Sequence, residues 1–195
     1  MKDVVEFALS EAQKRLKVDP FDAGHDYYHH LAVVKNCLDI VRDEKLVVDI
    51  DALLIAAWWH DYKRNAPNEN DEILTGILKK SGADEKFVKK VLNIKNSHSF
   101  GEGQESLEAQ VLYDADKLEY ASVDRIKHVT EAVKKGEMTQ EVQNKYKKAF
   151  LTRIPTALQE LHFESTRPVL MERIKELKVY AATDPLWTEI AELVI

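Results

Sequence analysis

The chain has 195 residues, 45% hydrophobic and 32% charged, with a formal net charge of −6. That length carries one domain with a substantial core, and the acidic balance argues against a broad nucleic-acid surface, which is normally basic. One cysteine, Cys37, excludes an internal disulfide framework and points to a reducing compartment, while the lack of an apolar leader or span-length apolar run makes the cytoplasm the expected location.

Residues 2–17 place Val5, Leu9, Ala12 and Leu16 at spacings of three and four, one apolar helix face. Asp19-Pro20 breaks it, and residues 21–26, with Gly24, form a connecting loop. A second helix is expected over 26–43, with Asp26 as its cap. Leu31, Val34, Leu38 and Val41 make one row, widened by Val33, Cys37 and Ile40. His29 lies one turn before Val33 and can point inward.

A third helix, over 49–62, is apolar on most sides from Leu53 to Trp59, the pattern of a buried helix. Its alanines and its Asp49 start favour helix over strand. A polar loop follows over 63–71, then a helix from near Asp71 to Lys80 with Gly82 as its stop, and another over 84–96. Residues 97–103 hold His98, Gly101 and Gly103 in a loop with unusual dihedrals available to it. Leu107, Val111, Leu112, Ala115 and Leu118 define a helix carrying Asp114 and Asp116, which continues, with or without a break, through Val133 towards Gly136. The C-terminal third reads as helices over about 139–151, 156–180 and 187–193, with breaks at Pro155, Pro168 and Pro185. No strand pattern occurs. The expected fold is an all-α, single-domain helical bundle over residues 1–195.

The run Ile55-Ala56-Ala57-Trp58-Trp59-His60-Asp61 ends an apolar helix in two adjacent residues of metal-ligand type. Neighbours on a helix point about 100° apart. At the helix end the chain no longer holds them to that angle, so both can face one ion. With His29 upstream and Asp116 downstream, His29, His60, Asp61 and Asp116 read as one metal site. Two imidazoles and two carboxylates suit divalent Mn, Fe, Co, Ni, Zn or Mg better than a thiolate site does. Asp61 can ligate one ion or bridge two. Each residue alone has an ordinary alternative: a core-edge histidine, a cap, or an Asp-Lys pair. Taken together they favour ligation, because Asp114 and Asp116 lie in an apolar stretch where acids need partners or a cation.

These segments resemble the HD-domain superfamily of metal-dependent phosphohydrolases. His25-Asp26-Tyr27-Tyr28-His29, followed by Ala32-Val33, is similar to the family's opening phrase, whose second histidine is the ligand. Ala56 to Asp61 is similar to its His-Asp centre. Asp114-Ala115-Asp116-Lys117-Leu118-Glu119 is similar to its later aspartate phrase, whose second aspartate is the ligand. The likeness covers about residues 22–130, and helices over 139–195 are additional. Ala32 stands where the family often has arginine, and Tyr120 to Asp124 replaces a glycine-bearing segment.

The resemblance implies hydrolysis of a small phosphate ester or nucleotide phosphoanhydride with one or two divalent ions. Asp61 would orient or receive a proton from water. Lys63 and Arg64 would grip phosphate oxygens. Glu69, in an Asn-Glu phrase, is a candidate acid/base or a residue supporting the ligands, with a helix N-terminal acid favoured by the dipole as the alternative. His98 would polarise substrate or join a second ion, with an ordinary loop histidine as the alternative. Trp58, Trp59, Tyr27, Tyr28 and Phe100 read either as core or as the wall of a base pocket. The expected partner is a small phosphate-bearing anion, with a homodimer open and no specific nucleic acid or membrane. The competing reading is a non-enzymatic, metal-stabilised helical module that senses a nucleotide or binds a partner.

Overall fold

A computed structural model describes residues 2–193, so the expected domain limits at 1 and 195 lie outside the described residues. Its helices are α1 (Lys2–Val18), α2 (Tyr27–Asp43), α3 (Ile50–Trp59), α4 (Pro67–Lys80), α5 (Glu85–Asn96) and α6 (Leu107–Leu118). A 3-10 turn, Glu119–Ala121, leads into α7 (Val123–Lys134), α8 (Gln140–Glu160), α9 (Thr166–Thr183) and α10 (Thr188–Ala191). No strand occurs among the described residues, and the fold is all-α.

Several helices begin where a short polar side chain can accept from the free amides of the first turn. Asp26 accepts from the amides of Tyr28 and His29. Asp49 accepts from Ala52, Asp84 from Phe87, Ser106 from Ala109 and Ser122 from Arg125. The Asp26 cap fixes the first turn of α2 and with it the inward direction of His29.

Helix α3 is the axis of the first half. Ala52, Leu53, Ile55, Ala56, Ala57, Trp58 and Trp59 are all buried, and α1, α2, α5 and α6 pack around them. The Trp59 indole N–H donates to the Ala8 carbonyl at 3.1 Å, so the polar edge of the ring is satisfied inside the core. Each such large apolar side chain contributes about 1.5–3 kcal/mol by burial, enough to seat the end of α3 deep in the molecule. A second apolar cluster joins Leu118, Ile126, Val129, Phe150, Ile154, Leu170, Ile174, Leu177 and Trp187, from α6 through α10. Helix α6 therefore belongs to both halves.

The boundaries differ from expectation in three places. Helix α3 stops at Trp59, and residues 60–65 form a turn. Helix α4 starts at Pro67 rather than near Asp71; proline at the first helical position loses no hydrogen bond and has its φ already set. In the C-terminal third Pro155 lies inside one continuous helix, α8. The buried row Tyr146, Phe150, Ile154 and Ala157 outweighs the one missing amide there. The break falls instead at 161–165, for a reason described below.

Candidate metal centre

The turn after α3 brings the adjacent His60 and Asp61 to bear on His29 of α2 and Asp116 of α6. One ligand-type atom from each of the four lies within 4.8 Å of the others, and all four residues are buried. His29 Nε2 is 3.2 Å from His60 Nε2 and 3.5 Å from Asp116 Oδ1. His60 Nε2 is 3.7 Å from both Asp61 Oδ2 and Asp116 Oδ1. The structure thus gathers the four residues that the sequence groups together.

The donor chemistry fits a divalent cation. His60 Nδ1 donates to the Ala57 carbonyl at 2.8 Å, which leaves Nε2 as a bare lone pair turned towards the cluster. Burial, then the positive charge of Arg125, holds the His29 imidazole well below its ordinary value and therefore neutral. Burial pushes Asp61 upward, but His60, His98, His25 and Arg64 outweigh it and hold the carboxyl well below its usual range. Asp116 is likewise held low, against its burial, by Lys117 and His60. Neutral imidazoles and ionised carboxylates are the forms that ligate a metal.

A shell of side chains braces the cluster. His98 Nε2 meets Asp61 Oδ1 at 3.2 Å, and its Nδ1 faces the Lys95 carbonyl. Arg64 donates to Asp61 Oδ2. Lys117 Nζ donates to Asp116 Oδ2 at 2.8 Å and to the His98 carbonyl at 2.7 Å. It lies over the rings of Phe100, Tyr113 and Tyr120, a cationic clamp in an aromatic nest. Asn70 Nδ2 donates to the Trp59 carbonyl at 2.8 Å and holds the end of α3.

Not every expected site residue joins this group. Glu69 lies in the first turn of α4, where the helix dipole favours an acid, and pairs with Lys63 at 3.1 Å. Neither makes a hydrogen bond or ion pair with the four clustered residues. Lys63 itself sits at φ 52°, in the left-handed region, within the turn. Trp58 and Trp59 are core, and Tyr28 is exposed beside His128. The aromatic wall near the cluster is made instead by Phe21, Tyr120, Tyr146 and Phe150, around a cavity of about 910 Å³ that also touches His25, Arg64 and Arg125.

Residues 26–121 match the HD domain family model. The chain carries an HD domain. No curated protein matches the chain. Among solved structures, a Lactobacillus plantarum protein superposes with a TM-score of 0.76 at 19% identity, covering 97% of this chain and 99% of that one. A Listeria innocua protein gives 0.65 at 19% identity, over 94% and 98%. A protein of an uncultured Thermotogales bacterium, described as a predicted HD superfamily hydrolase, gives 0.59 at 22% identity, over 94% and 90%. These likenesses extend the shared fold beyond the HD domain match to the C-terminal helices.

Outside the matched HD segment, four residues that the sequence reading does not group reach the cluster's edge. His25 Nδ1 is 2.9 Å from Asp22 Oδ1 and 2.7 Å from the Tyr146 hydroxyl. His25 Nε2 is 3.5 Å from Asp61 Oδ2 and accepts from Arg125 Nη2 at 2.9 Å. His25 opens the His-Asp-x-x-His phrase, and Arg125 left a trace of its own: with Val129 and Ala132 it falls on the buried face of α7, an odd place for an arginine. Tyr146 reads as plain core, since Phe150 and Ile154 share its face.

The same contacts leave no room for a side chain at Gly24 unless the Tyr146 ring shifts. A Cβ there would lie 2.4 Å from the Tyr146 hydroxyl, which Asp22 and His25 hold in place. Gly24→Ala is expected to cost about 1–3 kcal/mol by forcing the ring aside. A lower urea midpoint at unchanged slope is the readout; a midpoint equal to wild type would show that the ring moves freely.

Proposed function

We propose that this HD domain protein is a metal-dependent phosphohydrolase acting on a small phosphate ester or a nucleotide phosphoanhydride. One observation carries the proposal: two imidazole nitrogens and two carboxylates converge within 4.8 Å, with Arg64, Lys117 and Arg125 around them. A divalent ion would neutralise Asp61 and Asp116. Arg64, Lys117 and Arg125 would then remain in excess, even with Asp22 counted against them. An anion carrying at least two negative charges restores the balance, and a phosphate-bearing group has that charge near neutral pH.

In this reading His29, His60, Asp61 and Asp116 hold the ion. When bound, it supplies Lewis-acid polarisation and charge neutralisation. Asp61, whose Oδ1 meets His98 and whose Oδ2 meets Arg64, orients water or accepts its proton at the carboxylate. His98 keeps that carboxylate in one orientation. Arg64, 40% exposed along its side chain, is free to swing from Asp61 to an incoming phosphate oxygen, where its fork gains a charge-assisted pair. Glu69 and Lys63, paired with each other, have no part in this scheme. The Thermotogales relative, described as a predicted HD superfamily hydrolase, points the same way.

The test uses metal-stripped full-length protein, resupplied separately with manganese, cobalt or nickel. Retention of the ion through dialysis is expected by elemental analysis. Hydrolysis of at least one member of a panel of nucleotides, sugar phosphates and simple esters should accompany it. A protein that retains none of these ions would end the proposal.

A further inference from the structure

We infer that Arg125, from α7, is a phosphate-binding residue of this site, donating to an oxyanion through a guanidinium N–H group that has no protein partner, beside the 910 Å³ cavity. The inference rests on the phosphohydrolase reading and extends it to a residue outside the matched HD segment.

Arg125 is 7% exposed. A guanidinium has five donors in a rigid fork. Here Nη2 donates to His25, while Nε and Nη1 are buried with no partner at all. Leaving charged donors buried and unpaired is strongly unfavourable, so these two nitrogens, which lie on either side of the engaged Nη2, call for an acceptor. Its surroundings supply none. The Tyr120 and Tyr146 rings flank it at 5.6 and 5.9 Å from the guanidinium carbon, and both carry their faces rather than an anionic oxygen to it. Asp61 and Asp116 contribute long-range attraction that favours the charged form, but neither forms an ion pair with it.

The fork is also held in place. His25 accepts from Nη2, and Asp22 and the Tyr146 hydroxyl both close on the far side of the same imidazole. A guanidinium fixed in advance loses little freedom on binding, which favours recognition of an oxyanion. Arg64 lines the same cavity from the opposite element. Two arginines from the two halves of the molecule thus face one space beside the metal cluster. The aromatic wall of Phe21, Tyr120, Tyr146 and Phe150 leaves room for an organic group attached to the phosphate.

The experiment titrates inorganic phosphate into the full-length chain, first metal-free and then with manganese, at constant ionic strength, with calorimetry as the readout. Manganese content is measured separately. Arg125→Gln is expected to weaken phosphate binding by about 10- to 100-fold and to leave manganese content unchanged. Arg125→Lys keeps the charge but not the fork and should lose about 3- to 10-fold; it carries the test alone should the glutamine variant fail to fold. Phosphate affinity unchanged in either variant, or no phosphate binding by wild type, overturns the assignment. Wild type that binds phosphate but retains no manganese would remove the metallohydrolase reading and leave the oxyanion site standing.

Discussion

Replacing Asp61 by alanine is expected to abolish ion retention and to lower phosphohydrolase turnover by at least about a thousandfold. The magnitude follows from the number of jobs that converge on one carboxylate. Its Oδ2 lies 3.7 Å from His60, 4.0 Å from His29 and 3.5 Å from His25 and also accepts from Arg64, while its Oδ1 meets His98. No neighbouring acid can substitute, because Asp116 is already engaged by Lys117 on its other oxygen. The effect on folding should be much smaller. In the metal-free protein two buried carboxylates repel each other, and removal of one relieves that repulsion. Arg64 can turn to solvent. Asp61→Asn preserves shape and separates loss of charge from loss of volume. Elemental analysis and turnover should fall together in both variants at a near-wild-type melting temperature. Undiminished turnover in Asp61→Ala would mean that the chemistry happens elsewhere.

Asp114→Ala should produce the opposite pattern: a large loss of stability in a residue outside the ion-binding group. Asp114 is fully buried. Its carboxylate accepts from the amides of His162 and Phe163 and from the Thr166 hydroxyl, and it faces His162 Nδ1 at 2.9 Å. These bonds hold residues 161–165 in the turn that separates α8 from α9. They are the reason the C-terminal break falls there and not at Pro155. Deleting the carboxylate strands several buried donors at once, a loss of about 3–5 kcal/mol. For a chain of this size that is a melting temperature lower by roughly 6–20 °C. Bound manganese per folded chain should be unchanged. A melting temperature within a degree or two of wild type would show that the 161–165 turn is held by other contacts. Asp114 and Asp116, two residues apart on one helix, would then be distinguished by experiment as well as by geometry.

The contrast between these two aspartates shows what a linear reading can reach. Both stand in the same apolar stretch, and the sequence marks both as acids in need of partners. The phrase they form selects Asp116 as the ligand by resemblance. Nothing in it foretells that Asp114 receives a loop almost fifty residues downstream, because that contact depends on how α9 docks against α6. Arg125 and Tyr146 are a similar case. Helical periodicity places each on a buried face, yet periodicity cannot say which other face it meets.

Local chemistry, by itself, determined the helical class, the Asp26 cap that aims His29, and the buried α3 that delivers His60 and Asp61 at its end. These follow from the spacing of apolar residues and from short-range hydrogen bonds, which act within a turn or two of chain. Packing alone decided which elements lie beside the cluster. The loop at 21–26, α7 and α8 bring Asp22, His25, Arg125 and Tyr146 to Asp61's outer edge. Those distances arise from side chains filling space between helices remote in sequence, and no pattern of one segment encodes the shape of another.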